Sequence, residues 1–77
     1  MKYKIGEKVV VKNNLSDSKT YYMLREDGTQ NLNVGDCYVG EMKNFAGKTV
    51  TIKEYRAGRY VVEELENLYL WTDEMFS

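Results

Sequence analysis

Apolar and polar residues alternate over several short stretches of this chain, and a helical period never lasts. In Glu7–Lys12, EKVVVK, Val9 and Val11 share one face while Val10 takes the other, which predicts a first strand. Residues 13–18, NNLSDS, follow with turn-forming chemistry. In Lys48–Tyr55, KTVTIKEY, Val50 and Ile52 point one way and Thr49, Thr51 and Lys53 the other. Arg56-Ala57-Gly58 turns the chain, with Gly58 suited to a left-handed backbone. Tyr60–Leu65 returns as the next strand, with Tyr60 and Val62 on one face. After a turn at Glu66-Asn67, Leu68–Trp71 reads as a last strand, with Leu68 and Leu70 on one face. Thr72 is placed to cap a single helical turn, because Asp73 and Glu74 suit the positive end of a helix. Met75 and Phe76 would then fold back on the core and leave Trp71 mostly buried.

Residues 21–34, YYMLREDGTQNLNV, predict an additional hairpin, since Asp27-Gly28 is a strong two-residue turn signal. A two-residue loop sets Leu24 against Asn31 and Met23 against Leu32. It places Tyr21, Met23, Leu32 and Val34 on one face. Between this hairpin and Lys48, the spacing of Val39, Met42, Phe45 and Ala46 predicts a short helical turn near residues 41–46, stopped by Gly47. Five or six short strands, glycine turns and no long helix make an all-β domain, a small SH3-like barrel or roll across residues 1–77.

Composition narrows this picture. A chain of 77 residues with 43% apolar and 13% aromatic side chains is globular but small. A domain of this size buries only roughly 60% of its unfolded surface, so nearly every large apolar group is needed. One cysteine, Cys37, rules out an internal disulfide and reads as a half-buried structural thiol. No apolar run approaches the roughly 20 residues of a membrane span, and the basic start MKYKIGEKVV lacks a signal-peptide core. No membrane association and a cytoplasmic location are therefore expected. The net charge of −1 is unevenly spread. Residues 1–59 hold all 11 bases against 7 acids, and residues 60–77 hold five acids and no base.

Three blocks of the sequence, IGEKVVVK (5–12), EMKNFAGKTVTI (41–52) and WTDEMF (71–76), together resemble small SH3-like barrel proteins of bacteriophages and prophages of Gram-positive bacteria. The blocks cover about a third of the chain, and WTDEMF is the most specific. The resemblance implies a phage origin and a barrel fold; most such proteins have no known function, so it implies no reaction. The 21–34 hairpin lies outside the resemblance and is a candidate for specificity.

Catalysis finds little support among the side chains. Histidine is absent, which removes the usual general base and zinc ligand. Cys37 has no neighbouring base to activate it. Glu63 and Glu64 are adjacent on a strand and point to opposite faces, so they cannot share a cation. Neither a cofactor nor a metal is expected. Binding is the favoured activity, because Tyr, Trp, Met and Arg are enriched at interfaces and this chain carries seven Tyr and four Met. The candidate contact residues are Tyr21, Tyr22, Arg25, Tyr55, Arg56, Arg59 and Tyr69, expected as exposed groups facing a host protein or a second copy of the chain. Countering host defence would suit a phage accessory protein. Two alternatives stay open. Lys43, Lys48, Lys53, Arg56 and Arg59 form a basic stripe that, with Tyr55 and Tyr60, suits RNA or DNA. A space between the hairpin and the barrel would suit a small molecule such as a nucleotide signal.

Overall fold

A computed structural model describes residues 1–66 and 68–77. The expected all-β architecture is present, built as two antiparallel sheets. One sheet has the order β1-β4-β5, from β1 (Lys8–Val10), β4 (Thr49–Arg56) and β5 (Arg59–Val62); the other pairs β2 (Thr20–Leu24) with β3 (Gln30–Cys37). A 3₁₀ helix at Gly40–Phe45 lies where the helical turn was expected, and a second one at Asp73–Met75 follows Trp71. The ladders do not close into one continuous barrel.

The period of two is obeyed where it was clearest. Val9 and Val11 are buried and Val10 is exposed; Val50 and Ile52, on the central strand between β1 and β5, are fully buried. Lys8 stands opposite Thr51 and Val10 opposite Thr49, which fixes the register of β1 on β4. A one-residue bulge at Lys53 breaks the register of β4 on β5. The β4–β5 hairpin has a two-residue loop, Ala57-Gly58, with φ of 53° and 77°. Two left-handed residues in succession match the right-handed twist of the flanking strands.

The other hairpin departs from its predicted register. The Arg25 N–H donates to the Thr29 carbonyl at 2.8 Å and the Gly28 N–H to the Arg25 carbonyl at 2.9 Å. The loop therefore holds three residues, Glu26-Asp27-Gly28, with Gly28 left-handed at φ 87°. Asp27 fixes it by accepting the Thr29 N–H at 3.0 Å and the Thr29 hydroxyl at 2.7 Å. One extra loop residue slips the pairing by one, so Leu24 faces Gln30 and Met23 faces Asn31. Beyond Met23 the strand bulges until Tyr22 meets Gly35. Met23 is still buried, but Leu32 is 66% exposed instead of sharing its face.

The end of the chain also differs from expectation. No strand forms over Leu68–Trp71; a bridge joins Trp71 to Tyr60, and Leu68 is 93% exposed. The expected turn at Glu66-Asn67 includes Asn67, which lies outside the described residues. The reason for the missing strand lies in β5. Val62 pairs with Leu65 in a tight turn, so that part of the strand edge is already occupied, and the chain regains β5 only at Tyr60. From there residues 71–77 cross to the other edge of the sheet. The Lys12 N–H donates to the Met75 carbonyl at 2.9 Å and the Ser77 N–H to the Val10 carbonyl at 2.8 Å. The segment thus covers the free edges of both β5 and β1.

Trp71 is fully buried, as its place in the pattern required. It stacks on Phe76 at 5.9 Å, and Phe45 meets it edge-on at 6.4 Å. Thr72 occupies the cap position of the last 3₁₀ turn, but its hydroxyl makes no cap bond and is buried without a partner among the described residues.

Three stability changes follow, each measurable by urea unfolding. Trp71→Ala is expected to cost about 3–5 kcal/mol, the range for a large core truncation. Thr72→Val keeps the shape and removes an unsatisfied hydroxyl, so it is expected to stabilise by about 1 kcal/mol. Ala57→Asn is expected to add about 0.5–1 kcal/mol, because asparagine tolerates the left-handed region better than alanine.

Candidate binding surface

The acids that close the chain organise the interior. Asp73, 2% exposed, is the one buried charged side chain among the described residues. Its Oδ1 accepts the Tyr60 hydroxyl at 2.6 Å, and its Oδ2 accepts the Leu24 N–H at 2.8 Å. Glu74 Oε1 accepts the Tyr22 N–H at 2.8 Å, and both Glu74 oxygens accept from the Gln30 amide at 3.0 Å. Tyr22 and Leu24 are two residues apart on β2, so their N–H groups leave the same edge. The expectation that Asp73 and Glu74 serve only their own helical turn is thereby corrected: they stand in for the neighbouring strand that β2 lacks. Burial, and then the bond to Asp73, push the Tyr60 hydroxyl well above the ordinary tyrosine value, so it remains a donor. It also accepts the Tyr3 N–H at 3.3 Å, which ties the chain start into the same network.

Glu64 repeats the device on the larger sheet. It accepts the Thr51 N–H at 2.8 Å and the Thr51 hydroxyl at 3.0 Å. Burial alone would raise its carboxyl, but the Thr51 bonds, with its own backbone N–H and the nearby Lys8 charge, outweigh that and hold it below the ordinary glutamate value.

The expected contact residues are scattered over several parts of the fold. Tyr21 is not exposed: it packs edge-on to Tyr38 and its hydroxyl accepts the Ser16 N–H at 2.7 Å. Alternation along β2 sets its ring on the core side together with Met23. Tyr22 is half-buried, its ring occupying the space beside Gly35. Tyr55 is exposed at its rim while its hydroxyl donates to the Tyr3 carbonyl at 2.7 Å. Tyr69 is half-buried against Gly40. Arg59 is also half-buried, with Nε donating to the Gly35 carbonyl at 2.9 Å and lying 3.7 Å from Asp36. It therefore staples the β4–β5 hairpin to β3.

The basic stripe is largely neutralised. Lys53 pairs with Glu66, Arg56 with Glu54 at 3.1 Å and Lys43 with Asp17 at 3.1 Å, while Lys48 is exposed. Tyr60, expected to stack on bases, is fully buried.

Of the expected contact residues, Arg25 lies in a groove that the hairpin shares with the β4–β5 turn, and Tyr55, Arg56 and Arg59 do not line it. This groove, of about 610 Å³, runs between the end of the β2–β3 hairpin and the β4–β5 turn. Arg25 and Glu26 line it from the hairpin, Gly58 from the turn and Met1 and Lys2 from the start of the chain, while Met23, Leu24 and Val34 form apolar walls above Asp73. The volume falls within the range of small-molecule sites, about 300–1,000 Å³. Arg25 is held at the rim by donating to the Gln30 carbonyl at 2.7 Å. A smaller groove of about 430 Å³ joins Cys37, Met42, Leu68 and Tyr69 on another face. Asp73 was not among the expected site residues. The signal available was two acids set between Trp71 and Met75-Phe76, since an acid inside an apolar run is either exposed by a turn or buried with donors. No group of acids or Cys37 among the described residues is arranged to hold a metal ion.

Asp73→Ala would leave the Tyr60 hydroxyl and the Leu24 N–H without an acceptor and is expected to cost about 3 kcal/mol in urea unfolding. For Glu64, a lowered folded value means that its contribution is complete above the ordinary value of 4.5 and is lost as pH falls through the folded one. The stability gap between the wild type and Glu64→Gln is therefore expected to be full at neutral pH and to narrow below about pH 4.5. A gap that stayed constant down the acid limb would contradict this account.

No protein-family model, curated protein or solved structure matches this chain, so a functional reading rests on the geometry of the chain itself.

Proposed function

We propose that this is a non-enzymatic binding protein of phage or prophage type, acting in the bacterial cytoplasm on a host protein or on a second copy of itself. The observation that carries the reading is the groove between the hairpin and the β4–β5 turn, where the segment outside the phage-like blocks supplies most of the lining. The acids also favour binding over chemistry. Asp73, Glu74 and Glu64 are engaged with backbone N–H groups, an arrangement that serves structure. A role in countering host defence would follow from the proposed origin. Protein is favoured over nucleic acid because phosphate contacts by Lys53, Arg56 or Arg59 would compete with Glu66, Glu54 and Asp36. A small molecule remains the second reading, favoured by the size and apolar walls of the same groove.

The test is capture from a bacterial lysate by the tagged chain, with sedimentation of the pure protein alongside. The wild type is expected to retain a protein partner or to self-associate, and Arg25→Glu at the groove rim is expected to weaken that by at least tenfold while remaining folded. A strictly monomeric protein that retains nothing would reject the proposal. Salt-sensitive retention on a nucleic-acid column, lost in Arg56→Glu, would favour the nucleic-acid alternative. Thermal stabilisation by a nucleotide would favour the small-molecule one.

A further inference from the structure

The two sheets share no ladder, and the smaller one is paired from end to end within itself. Its pairing starts before β2 and ends after β3: the Ser18 N–H donates to the Tyr38 carbonyl at 2.8 Å and the Tyr38 N–H to the Lys19 carbonyl at 3.0 Å. From there the ladder runs, through one bulge, to the three-residue loop. Residues 19–38 therefore form one mechanical unit. Left-handed backbone flanks it on both sides. Ser18, just before the unit, has φ 64°, and Gly40, just beyond it, has φ 58°. Serine occupies that region at a cost, so rotation out of it carries no local penalty, and glycine has wells on both sides of φ zero. Residues at element ends that can absorb such a change are the usual hinges.

Side chains fasten the unit to the rest of the fold. Asp73 and Glu74 hold its β2 edge at the Leu24 and Tyr22 N–H groups, and Arg59 holds β3 at the Gly35 carbonyl. Tyr21, Met23 and Tyr38 add buried apolar contact, so the closed position is the major one. An opening breaks these fastenings and uncovers those side chains. It leaves intact the β1-β4-β5 ladders and the backbone bonds of the closing segment to Val10, Lys12 and Tyr60. Supersecondary units commonly open in this way at a lower free energy than the whole domain. The consequence falls on the groove, because Leu24, Arg25 and Val34 line it from the unit and Lys2, Gly58 and Asp73 line it from outside. We infer that the β2–β3 hairpin is a hinged arm, which swings about Ser18 and Gly40 and sets the width of this groove. An occupant of the groove is admitted by that swing, whatever its chemistry.

Hydrogen exchange of the ¹⁵N-labelled chain, followed by NMR at urea concentrations well below the unfolding midpoint, tests this. The Tyr22 and Leu24 amides are bonded across the opening, whereas those of Val11 and Trp71 are bonded within the larger sheet and its closing segment. The first pair is expected to exchange at least tenfold faster than the second. Its rates are expected to rise with urea, because the opening exposes surface, but less steeply than those of Val11 and Trp71. Ile52→Val, in the larger sheet, is expected to speed Val11 and Trp71 at least twofold and to leave Tyr22 and Leu24 unchanged. Arg59→Ala removes a fastening that touches neither amide of the first pair, and is expected to speed both at least threefold. One common rate and urea dependence for all four amides would overturn the inference. So would Tyr22 and Leu24 rates that ignore urea, that rise equally with the others in Ile52→Val, or that stay at the wild-type value in Arg59→Ala.

Discussion

The carboxylate of Asp73 joins parts of the chain that are far apart in sequence. It takes a proton donor from Tyr60 in β5 and another from Leu24 in β2, and Tyr60 in turn accepts the Tyr3 N–H. With the Arg59 bond to the Gly35 carbonyl, this junction supplies the directional contacts between the two sheets that apolar packing alone does not. The residues around it extend the same role. Trp71 pairs with β5, Phe76 pairs with Val11, and Glu74 holds the Tyr22 N–H. A segment of seven residues therefore closes the edges of the larger sheet and docks the smaller one. This suits a domain too small to build a deep core, since both aromatics of the segment, Trp71 and Phe76, are buried.

Carboxylates accept backbone N–H groups at three strand positions, standing in for a missing neighbour at Tyr22 and Leu24 on β2 and binding Thr51 of β4 where β5 has ended. Elsewhere the edges are blocked by other means. On β3 the Gly35 carbonyl is taken by Arg59, the Asn33 N–H by the Asn31 side chain and the Cys37 N–H by Asp36. An edge so occupied offers little to an incoming strand. Recognition by strand addition is thereby disfavoured, and the grooves become the natural places for contact. The groove above Asp73 unites the two features with most bearing on function. It is lined by the β2–β3 hairpin and by Asp73, the single buried charge among the described residues.

The alternation of valines in EKVVVK and of Val50 with Ile52 was legible because each strand has one buried face, and a buried face leaves its period in the sequence. The burial of Trp71 was legible for a similar reason: a chain this short cannot leave its largest apolar side chain in water. The hairpin register was not, since Asp-Gly serves both a two-residue loop and the last two places of a three-residue loop. The choice between them is made by the bonds of Arg25 and Thr29 and by where Tyr21 and Met23 find a core. Leu68 illustrates the opposite failure. Its pattern suits a strand, but β5 has no edge left to receive it once Val62 has turned back on Leu65.

By itself the sequence determined the all-β class, the glycine turns, the inward faces of β1 and β4, and the burial of its last aromatic residues. These depend on near neighbours and on the hydrophobic effect, which acts wherever a side chain lies. Only the tertiary structure decided the partners of Asp73, Glu74 and Glu64, the inward turn of Tyr21, and the meeting of the hairpin with the β4–β5 turn in one groove. Hydrogen bonds and charges act over a few ångströms in fixed directions, so their pairing is settled only when strands remote in sequence have been brought together.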